Sequence, residues 1–370
     1  MKYTENNSIV INNSCCTGCY ACSFICPQNA ITIVEKKGFK TAIVNKDNCI
    51  NCGLCLKVCH RSNVENSNIM QSTAYECYSN NEQVLATSTS GGAGYELSKY
   101  FINKGYEIIG CKYNYEKDCA EHDIINSESQ LYLFTGSKYI QSSLEKIKEK
   151  ITANKKYIFI GTPCQCYGMR KYIEIKKKKS EFIFIDFFCH GFIPSDFFNY
   201  FLTKHKKDNL EKIEFRSKEN GWHSYLCKLV YKDNYVLIPY QKSEFGIVFL
   251  SDFLLPDTCY KCRFRFNYVT ADIRIGDYWG EKHKSNTKGV SCVLGVTENG
   301  KNILDNFFTE NSIYRNKIDI QEIKDVKCGS NNGIKKVPHL NSIFKTIYKS
   351  FGVKAAVTII KLYLKLRGRI

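Results

Sequence analysis

Two short runs of cysteines near the beginning of the chain decide its fold: CTGCYACSFICP at residues 16–27 and CINCGLCLKVCH at residues 49–60. Both runs follow the spacing C-x2-C-x2-C-x3-C, and a proline follows the first. Nine of the 20 cysteines lie between Cys15 and Cys59, while the others are scattered through the rest of the 370 residues. A disulfide framework is typical of a short secreted chain, so this local concentration favours metal ligation instead.

This spacing is the one with which bacterial ferredoxins bind two [4Fe-4S] clusters, and the fourth cysteine of each run reaches the other run's cluster. We therefore predict two ligand sets: Cys16, Cys19, Cys22 and Cys59, and Cys49, Cys52, Cys55 and Cys26. Zinc is the alternative, but zinc ligands usually come as separated pairs. His60 replaces a second proline, and a ligand role is one interpretation of it. Because four cysteines already complete that set, we interpret His60 as a solvent-facing loop residue, and Cys15 as a spare thiol. Between the runs, a β-hairpin is predicted to turn at Lys37-Gly38.

The composition excludes some classes of protein. With 44% hydrophobic and 24% charged residues, the chain should fold around a core rather than remain disordered. No apolar run approaches the roughly 18 residues of a membrane span. Residues 1–11 lack the apolar stretch of a signal peptide, so we expect a cytoplasmic protein with reduced thiols. The net charge of +17 raises a nucleic-acid hypothesis, but the sequence contains no known binding module and we expect no such partner.

Beyond Cys77, stretches typical of strands alternate with stretches typical of helices. Residues 106–111, 157–160 and 182–188 are predicted strands, which indicates a partly parallel sheet covered by helices. A second group, at residues 212–216, 224–231 and 235–240, is predicted to be antiparallel. The predicted fold class is therefore multidomain, α+β or α/β: a two-cluster ferredoxin-like domain (1–70), a mixed α/β domain (71–330) and a basic amphipathic tail (331–370).

Several turns of the α/β part are candidate binding sites. The turn at Ser90-Gly91-Gly92 precedes a predicted helix, where free backbone amides favour anions, although an ordinary capped turn fits as well. In the Gly136–Tyr139 turn, Lys138 is either a phosphate-binding cation or a solvated lysine. Four further cysteines, at positions 164, 189, 259 and 262, follow strands or form a C-x2-C pair, so they predict a third four-thiolate site. A zinc site or inert buried thiols would fit them almost as well.

Six motifs in order resemble one family: SGG (90–92), GSKYIQ (136–141), GTPCQ (161–165), CHG (189–191), CYKC (259–262) and GDYWG (276–280). Over roughly residues 77–310 the chain resembles the coenzyme F-420 (hereafter F420) hydrogenase/dehydrogenase beta-subunit family. The resemblance implies FAD and one [4Fe-4S] cluster in this part, ligated by Cys164, Cys189, Cys259 and Cys262. The FAD contacts it implies are Ser90, Gly91, Gly92, Gly136, Ser137, Lys138, Tyr139, Thr162, Gln165 and His190.

Together these features predict an iron–sulfur flavoprotein oxidoreductase. It would pass electrons between a hydride-carrying coenzyme (F420H2 or NAD(P)H) and one-electron carriers, through FAD and three [4Fe-4S] clusters. His190 is either a catalytic proton donor or a residue that makes an orienting hydrogen bond. Tyr278 and Trp279 either stack on the flavin or pack in the core. The alternatives are a non-enzymatic ferredoxin-like electron-transfer protein, or a reductase acting on a small-molecule substrate in surface-polysaccharide synthesis.

The tail reads VKAAVTIIKLYLKLRGRI at residues 353–370. Such a basic amphipathic helix either contacts the inner face of an anionic membrane peripherally, or packs on the body or on a partner. The cofactors also bear on the charge, because three anionic clusters and a diphosphate would lower the net +17 to about +9.

Overall fold

A computed structural model describes residues 16–62, 69–206, 209–265, 268–327 and 337–370 of the chain. Cys15 and the first six residues of the expected tail, 331–336, lie outside the described residues.

The cysteine-rich block consists of two short helices and a hairpin. These elements are α1 (Ala21–Ile25), β1 (Ile31–Lys36), β2 (Phe39–Val44) and α2 (Leu54–Lys57). The two strands are antiparallel, and Lys36 pairs with Phe39 across the turn. Lys37 and Gly38 both have positive φ, 53° and 70°, which suits the right-handed twist of a two-residue hairpin. The predicted hairpin is confirmed.

The rest of the chain combines strands and helices. The strands are β3 (Thr73–Ser79), β4 (Glu107–Asn114), β5 (Cys119–Ile125), β6 (Ser142–Ser143), β7 (Lys156–Ile160), β8 (Glu181–Phe187), β9 (Leu210–Ser217), β10 (Leu226–Tyr231), β11 (Tyr235–Pro239), β12 (Ile273–Asp277), β13 (Ser291–Gly295) and β14 (Ile313–Ile318). The helices are α3 (Glu82–Thr87), α4 (Ala93–Asn103), α5 (Ile147–Lys150), α6 (Pro163–Lys176), α7 (Ser195–His205), α8 (Glu244–Ser251), α9 (Asp257–Tyr260), α10 (Glu298–Glu310), α11 (Ile320–Lys327) and α12 (Asn341–Leu366).

A mixed sheet forms the centre of this part, in the order β14-β3-β13-β12-β8-β7-β4-β5-β6. Strands β12, β8, β7 and β4 are parallel to their neighbours in this group, whereas β13, β3 and β14 continue the sheet in antiparallel fashion. A separate antiparallel sheet has the order β11-β10-β9. The mixed α/β class and the antiparallel group are as the sequence predicts.

Burial on both faces explains the apolar strand β8. Ile183, Phe184 and Ile185 are at most 4% exposed, so the strand lacks the alternation of a half-exposed one. Asp186 is the exception, and its carboxylate accepts two hydrogen bonds from the Arg274 guanidinium at 2.6 and 2.7 Å. A buried charge needs such a partner, so the register of β12 beside β8 is tied to this pair.

The parallel strands direct several loops to one edge of the sheet. β7, β8 and β12 all end there, and the residues that follow include Thr162, Cys189 and Tyr278. The antiparallel partner β13 begins at the same edge, since Asp277 pairs with Ser291. In open α/β sheets the carboxyl ends of the strands are where ligands bind.

Helix α12 packs on the body beside α7 and α8. Phe344, Val357 and Ile360 are buried in the same core as Phe253 and Phe245. Of the alternatives for the tail, packing on the body is confirmed. None of the helices in the described part of the chain combines the length and hydropathy that crossing a membrane requires.

Candidate functional site

The first thiol set, made of Cys16, Cys19, Cys22 and Cys59, brings together cysteines from both runs. Burial raises the pKa of Cys19 to about 12, and the neighbouring thiols of Cys59 and Cys16 add to the rise. Burial also raises the pKa of Cys22 well above its usual value, with Cys19, Cys16 and Cys59 contributing. The block thus places Cys59 next to the first run, which is the crossed arrangement that a ferredoxin-type ligand set requires.

The second thiol set, made of Cys26, Cys49, Cys52 and Cys55, lines one cavity. The cavity measures about 320 Å³, including open solvent, and its other lining residues are Pro27, Gln28, Ile31, Ile50, Gly53 and Leu54. Cys55 is also near enough to Cys22 to raise the pKa of that thiol further. The first two sets are therefore neighbours.

The third thiol set, made of Cys164, Cys189, Cys259 and Cys262, gathers at the edge of the large sheet. Cys164 lies in the first turn of α6, Cys189 follows β8, and the other two lie in or just after α9. Burial raises the pKa of Cys259 well above its usual value, and Cys189, Cys262 and Cys164 raise it further. These four thiols come from three separate segments, so only the tertiary fold brings them together.

None of the three sets converges on one point. Among the described residues, no group of three or more His, Cys, Asp or Glu side chains lies close enough together to hold a single metal ion. The four thiolates of a cubane bind four different irons, so its ligands surround a volume instead of one atom. Thiolate donors in groups of four fit such a cubane in chemistry and in number.

Arg265 ties the loops of the third set together. Its guanidinium donates to the carbonyl oxygens of His190 (2.8 Å), Cys189 (3.3 Å) and Cys259 (3.0 and 3.1 Å). Burial raises the pKa of Cys262, while Arg265 and then Arg274 act in the opposite direction. The third set therefore has cations at its border, which would offset the negative charge of four thiolates.

Helix α6 places the third set next to the first. A Cβ atom on Gly168 would lie 2.6 Å from the Cβ of Ala21 and 3.4 Å from the Sγ of Cys19. Only glycine allows this approach of α6 to α1. Cys164 lies at the start of the same helix. Burial raises the pKa of Cys164, and the nearby thiol of Cys19 raises it further.

His60 lies in the contact between the cysteine-rich block and the body. Its side chain is buried, its ring centroid is 5.4 Å from that of Phe264, and its Nε2 lies 3.3 Å from the Oγ1 of Thr17. Burial lowers its pKa to about 3. The interpretation of His60 as a solvent-facing loop residue is wrong, because the body covers this end of the block.

The two turns predicted to contact FAD lie side by side. The backbone N–H of Ser137 donates to the Thr89 Oγ1 at 2.9 Å, and the two hydroxyls are 3.1 Å apart. Ser90 donates through its Oγ to the carbonyl of Val290 at 2.7 Å. Gly91 is packed against the sheet edge, since an added Cβ would lie 2.5 Å from the Cys77 carbonyl oxygen. Gly92 is the N-cap residue of α4, and no side chain caps this end of the helix.

Two lysines stand at these turns with their ammonium groups partly desolvated. Lys138 donates to the carbonyls of Thr135 (2.9 Å) and Gly136 (3.2 Å), so it is held by the turn rather than solvated. Lys218 donates to the carbonyl of Ser90 at 2.9 Å. Burial lowers the pKa of each lysine to about 8. The sequence does not single out Lys218, because it lies after β9 in the other sheet and no local motif marks it.

The remaining predicted contacts connect the turns to the third set. The Thr162 hydroxyl lies 3.2 Å from the Cys164 Sγ and 3.0 Å from the Gln165 Oε1. His190 holds its Nε2 2.9 Å from the Asp252 Oδ1, and its ring stacks obliquely 4.6 Å from that of Phe249. The ring of Tyr139 also packs on Phe249, with ring centroids 4.8 Å apart. His190 thus makes the orienting contact that was one of its two interpretations.

The two aromatics of the GDYWG motif pack within the protein. Tyr278 is 3% exposed and donates through its hydroxyl to the Glu322 Oε2 at 2.7 Å. Trp279 stacks on Trp222 with ring centroids 4.4 Å apart, and the Arg216 guanidinium lies 4.8 Å from the Trp279 ring. Core packing is confirmed for Tyr278, and Trp279 is one layer of an aromatic stack.

Comparison with known proteins assigns both parts of the chain. Residues 154–321 match the family model that describes the C terminus of the coenzyme F420 hydrogenase/dehydrogenase beta subunit. Residues 15–63 match a 4Fe-4S dicluster domain. Residues 154–321 are therefore similar to the C-terminal region of this beta-subunit family and follow a 4Fe-4S dicluster domain, in agreement with the resemblance that the motifs indicate.

Two relatives illustrate the similarity. The coenzyme F420-dependent sulfite reductase of Methanocaldococcus jannaschii is 24% identical over 314 residues. That match covers 80% of this chain and 46% of the relative, so the chain spans about half the length of that protein. The fold is similar to a chain in the F420-reducing [NiFe] hydrogenase complex from Methanosarcina barkeri, with a TM-score of 0.50 and 15% identity over 82% of this chain and 93% of that chain.

Proposed function

We propose that the chain is an oxidoreductase that passes electrons between a hydride-carrying coenzyme, F420H2 or NAD(P)H, and one-electron carriers. It would do so with FAD and three [4Fe-4S] clusters. When bound, FAD supplies the exchange between two-electron hydride chemistry and single electrons. The electron acceptor would be an electron-transfer protein or a small-molecule substrate.

The observation that carries this proposal is the continuity of the three thiol sets. Cys164 of the third set is near Cys19 of the first, and Cys22 of the first set is near Cys55 of the second. Each set offers four thiols, which is the number that one cubane takes. The three thiol sets form a row from the sheet edge into the cysteine-rich block. This arrangement supports the transfer of single electrons between the body and that block.

The turns beside the third set support a dinucleotide cofactor with a negative diphosphate. Lys138 and Lys218 bring two ammonium groups to the turns that Ser90 and Ser137 form. Gly136 has a φ of 75° and nothing within 4 Å of the place where a Cβ would lie, so its backbone is open to a ligand. Backbone amides, hydroxyls and lysines in this combination bind phosphate oxygens.

His190 would hold a proton near the reacting groups. Its contact with Asp252 fixes the orientation of the ring. It follows Cys189 of the third thiol set directly, and its ring packs on Phe249, which also contacts Tyr139 of the second turn. We therefore retain His190 as the candidate proton-holding residue of the site.

Anaerobic reconstitution tests the proposal. The expected result is about twelve irons and one FAD per chain, since each cubane holds about four irons. The holoprotein would then be treated in turn with F420H2, NADH, NADPH and dithionite while the flavin and cluster absorption bands are followed. Bleaching by one of the hydride donors supports the oxidoreductase. A flavin-free protein with about eight irons would contradict it.

The same assay separates the non-enzymatic alternative. A ferredoxin-like carrier would be reduced by dithionite but by none of the hydride donors. A Lys218→Gln variant adds a check that does not depend on activity, since it should retain its iron and lose FAD affinity by about tenfold. Lys288→Gln is the matched control, because that lysine is exposed and pairs with Glu82 at 2.7 Å.

A further inference from the structure

We propose that the outward side of helix α12 docks the protein on the surface of an anionic lipid bilayer. This inference is independent of the electron-transfer proposal, because it depends only on a helix that carries none of the thiol sets or the turns.

The helix carries two apolar stripes, of which only one is used by the fold. The inward stripe contains Phe344, Val357, Ile360 and Leu364, all at most 6% exposed. The outward stripe contains Ile359, Leu362 and Leu366, spaced three and four residues apart so that they share one face. Leu362 is 57% exposed and Leu366 is 78% exposed. A surface helix of a globular protein normally has a polar outer face, so this second stripe needs a partner.

A kink adds a larger apolar side chain to the same helix. Gly352 has non-helical backbone angles, with φ 77°, and divides α12 into two segments. Phe351, immediately before the kink, is 73% exposed. Scattered exposed apolar residues are ordinary, but an exposed aromatic ring and a continuous aliphatic stripe on one helix are not.

The charge of this segment identifies the partner. Residues 341–370 contain seven Lys or Arg and no Asp or Glu. Lys354, Lys361 and Lys365 are exposed and share a face by their spacing, so a stripe of lysines lies between the inward and the outward apolar stripes. Apolar side chains next to a row of lysines are the features of helices that lie in the interface of an anionic membrane.

A second copy of the chain is a poorer occupant. In a two-fold symmetric contact the same surface faces itself, so the lysine stripes would lie close to each other. Crossing the bilayer is not required, because the inward stripe stays packed on the body while the outward one contacts the lipid. The proposed mode is therefore peripheral and parallel to the membrane plane.

Vesicle flotation of the anaerobically purified holoprotein tests this inference. The protein should float with vesicles of phosphatidylcholine mixed with phosphatidylglycerol, and much less with phosphatidylcholine alone. The triple variant Lys354→Gln/Lys361→Gln/Lys365→Gln should bind the anionic vesicles about a hundredfold more weakly, at low salt. Its matched control replaces three exposed lysines elsewhere, Lys176→Gln/Lys177→Gln/Lys179→Gln, and should bind like the parent protein.

The apolar stripe has its own variant. Phe351→Gln/Leu362→Gln/Leu366→Gln should lower vesicle binding by about tenfold or more, with the thiol sets and the fold unchanged because these side chains are exposed. Tyr132→Gln/Tyr235→Gln is the control at exposed positions outside α12. Failure of the parent protein to float, equal binding to neutral vesicles, or unchanged binding by both triple variants would overturn the proposal. A dimer that only the apolar variant dissociates, without vesicle binding by the parent, would assign the stripe to a second copy instead.

Discussion

At the residue scale, Arg265 shows how one side chain organises a site assembled from distant segments. Its guanidinium donates to three carbonyl oxygens, those of His190, Cys189 and Cys259. It also brings a positive charge to the border of the third thiol set, where it acts against the rise in the pKa of Cys262. A planar group with a fixed fork of donors suits this task better than lysine does.

Arg265 should tune the reduction potential of a cluster in the third set. A reduced cluster carries one more negative charge, so Arg265→Gln should lower the midpoint potential by about 40 mV, equivalent to about 1 kcal/mol of lost interaction. Arg265→Lys keeps the charge and should lower it less. A redox titration followed by electron paramagnetic resonance measures the shift. An unchanged potential in a glutamine variant that retains its cluster would show that Arg265 only positions the loops.

At the element scale, helix α6 is the connection between the cysteine-rich block and the body. Its first turn carries Cys164, and its side meets α1 at Gly168. The capping box of Thr162 and Gln165 fixes where the helix begins, and so fixes the place of Cys164. The lack of a side chain at position 168 then sets how close the first and third thiol sets come.

Adding a methyl group at Gly168 should push the two helices apart. We expect Gly168→Ala to lower the free energy of unfolding by about 1–3 kcal/mol, because the new Cβ would overlap that of Ala21. The double variant Gly168→Ala/Ala21→Gly removes the overlap and should recover part of the loss. Anaerobic denaturation of the four proteins in the cycle gives the coupling energy. Purely additive effects would mean that α1 and α6 are not in contact here.

At the scale of the whole molecule, the sequence predicts part of the fold and part of the candidate site. The cysteine runs were informative because ligand geometry dictates their spacing, and the parallel strands were informative because burial on both faces makes them uniformly apolar. The sequence does not predict that His60 is buried, or that Lys218 contacts the turn at Ser90. Both depend on contacts between elements far apart in the chain, and no local pattern records such contacts.

Stability as a function of pH should reflect buried His122. The residue is 3% exposed, its ring stacks on that of Phe159, and its Nε2–H donates to the Ile160 carbonyl oxygen at 3.1 Å. Burial lowers its pKa to about 4, against 6.5 in the unfolded chain, so on acidification the unfolded state takes up the proton first. Its contribution to stability is therefore present above pH 6.5 and is lost as the pH falls toward 4.

This loss amounts to about 2 kcal/mol between pH 7 and pH 5. His122→Phe keeps an aromatic ring in the stack and removes the titrating group, so its stability should fall about 2 kcal/mol less over the same interval. Urea denaturation at the two pH values, compared between the two proteins, measures the difference. Equal pH dependence in both would show that His122 is not the group that titrates.

The crossed grouping of the first two thiol sets also changes the topology of the cysteine-rich block. With metal bound, Cys16 and Cys59 would be joined through one inorganic core, and Cys26 would be joined to the second run through the other. The first core would then close a loop of about 40 residues and the second a loop of about 25, and in the chain-entropy model each closure removes about 3–4 kcal/mol of conformational entropy from the unfolded block. The block contains only two short helices and one hairpin, so it has little hydrophobic core of its own. The bound clusters would therefore also stabilise its fold.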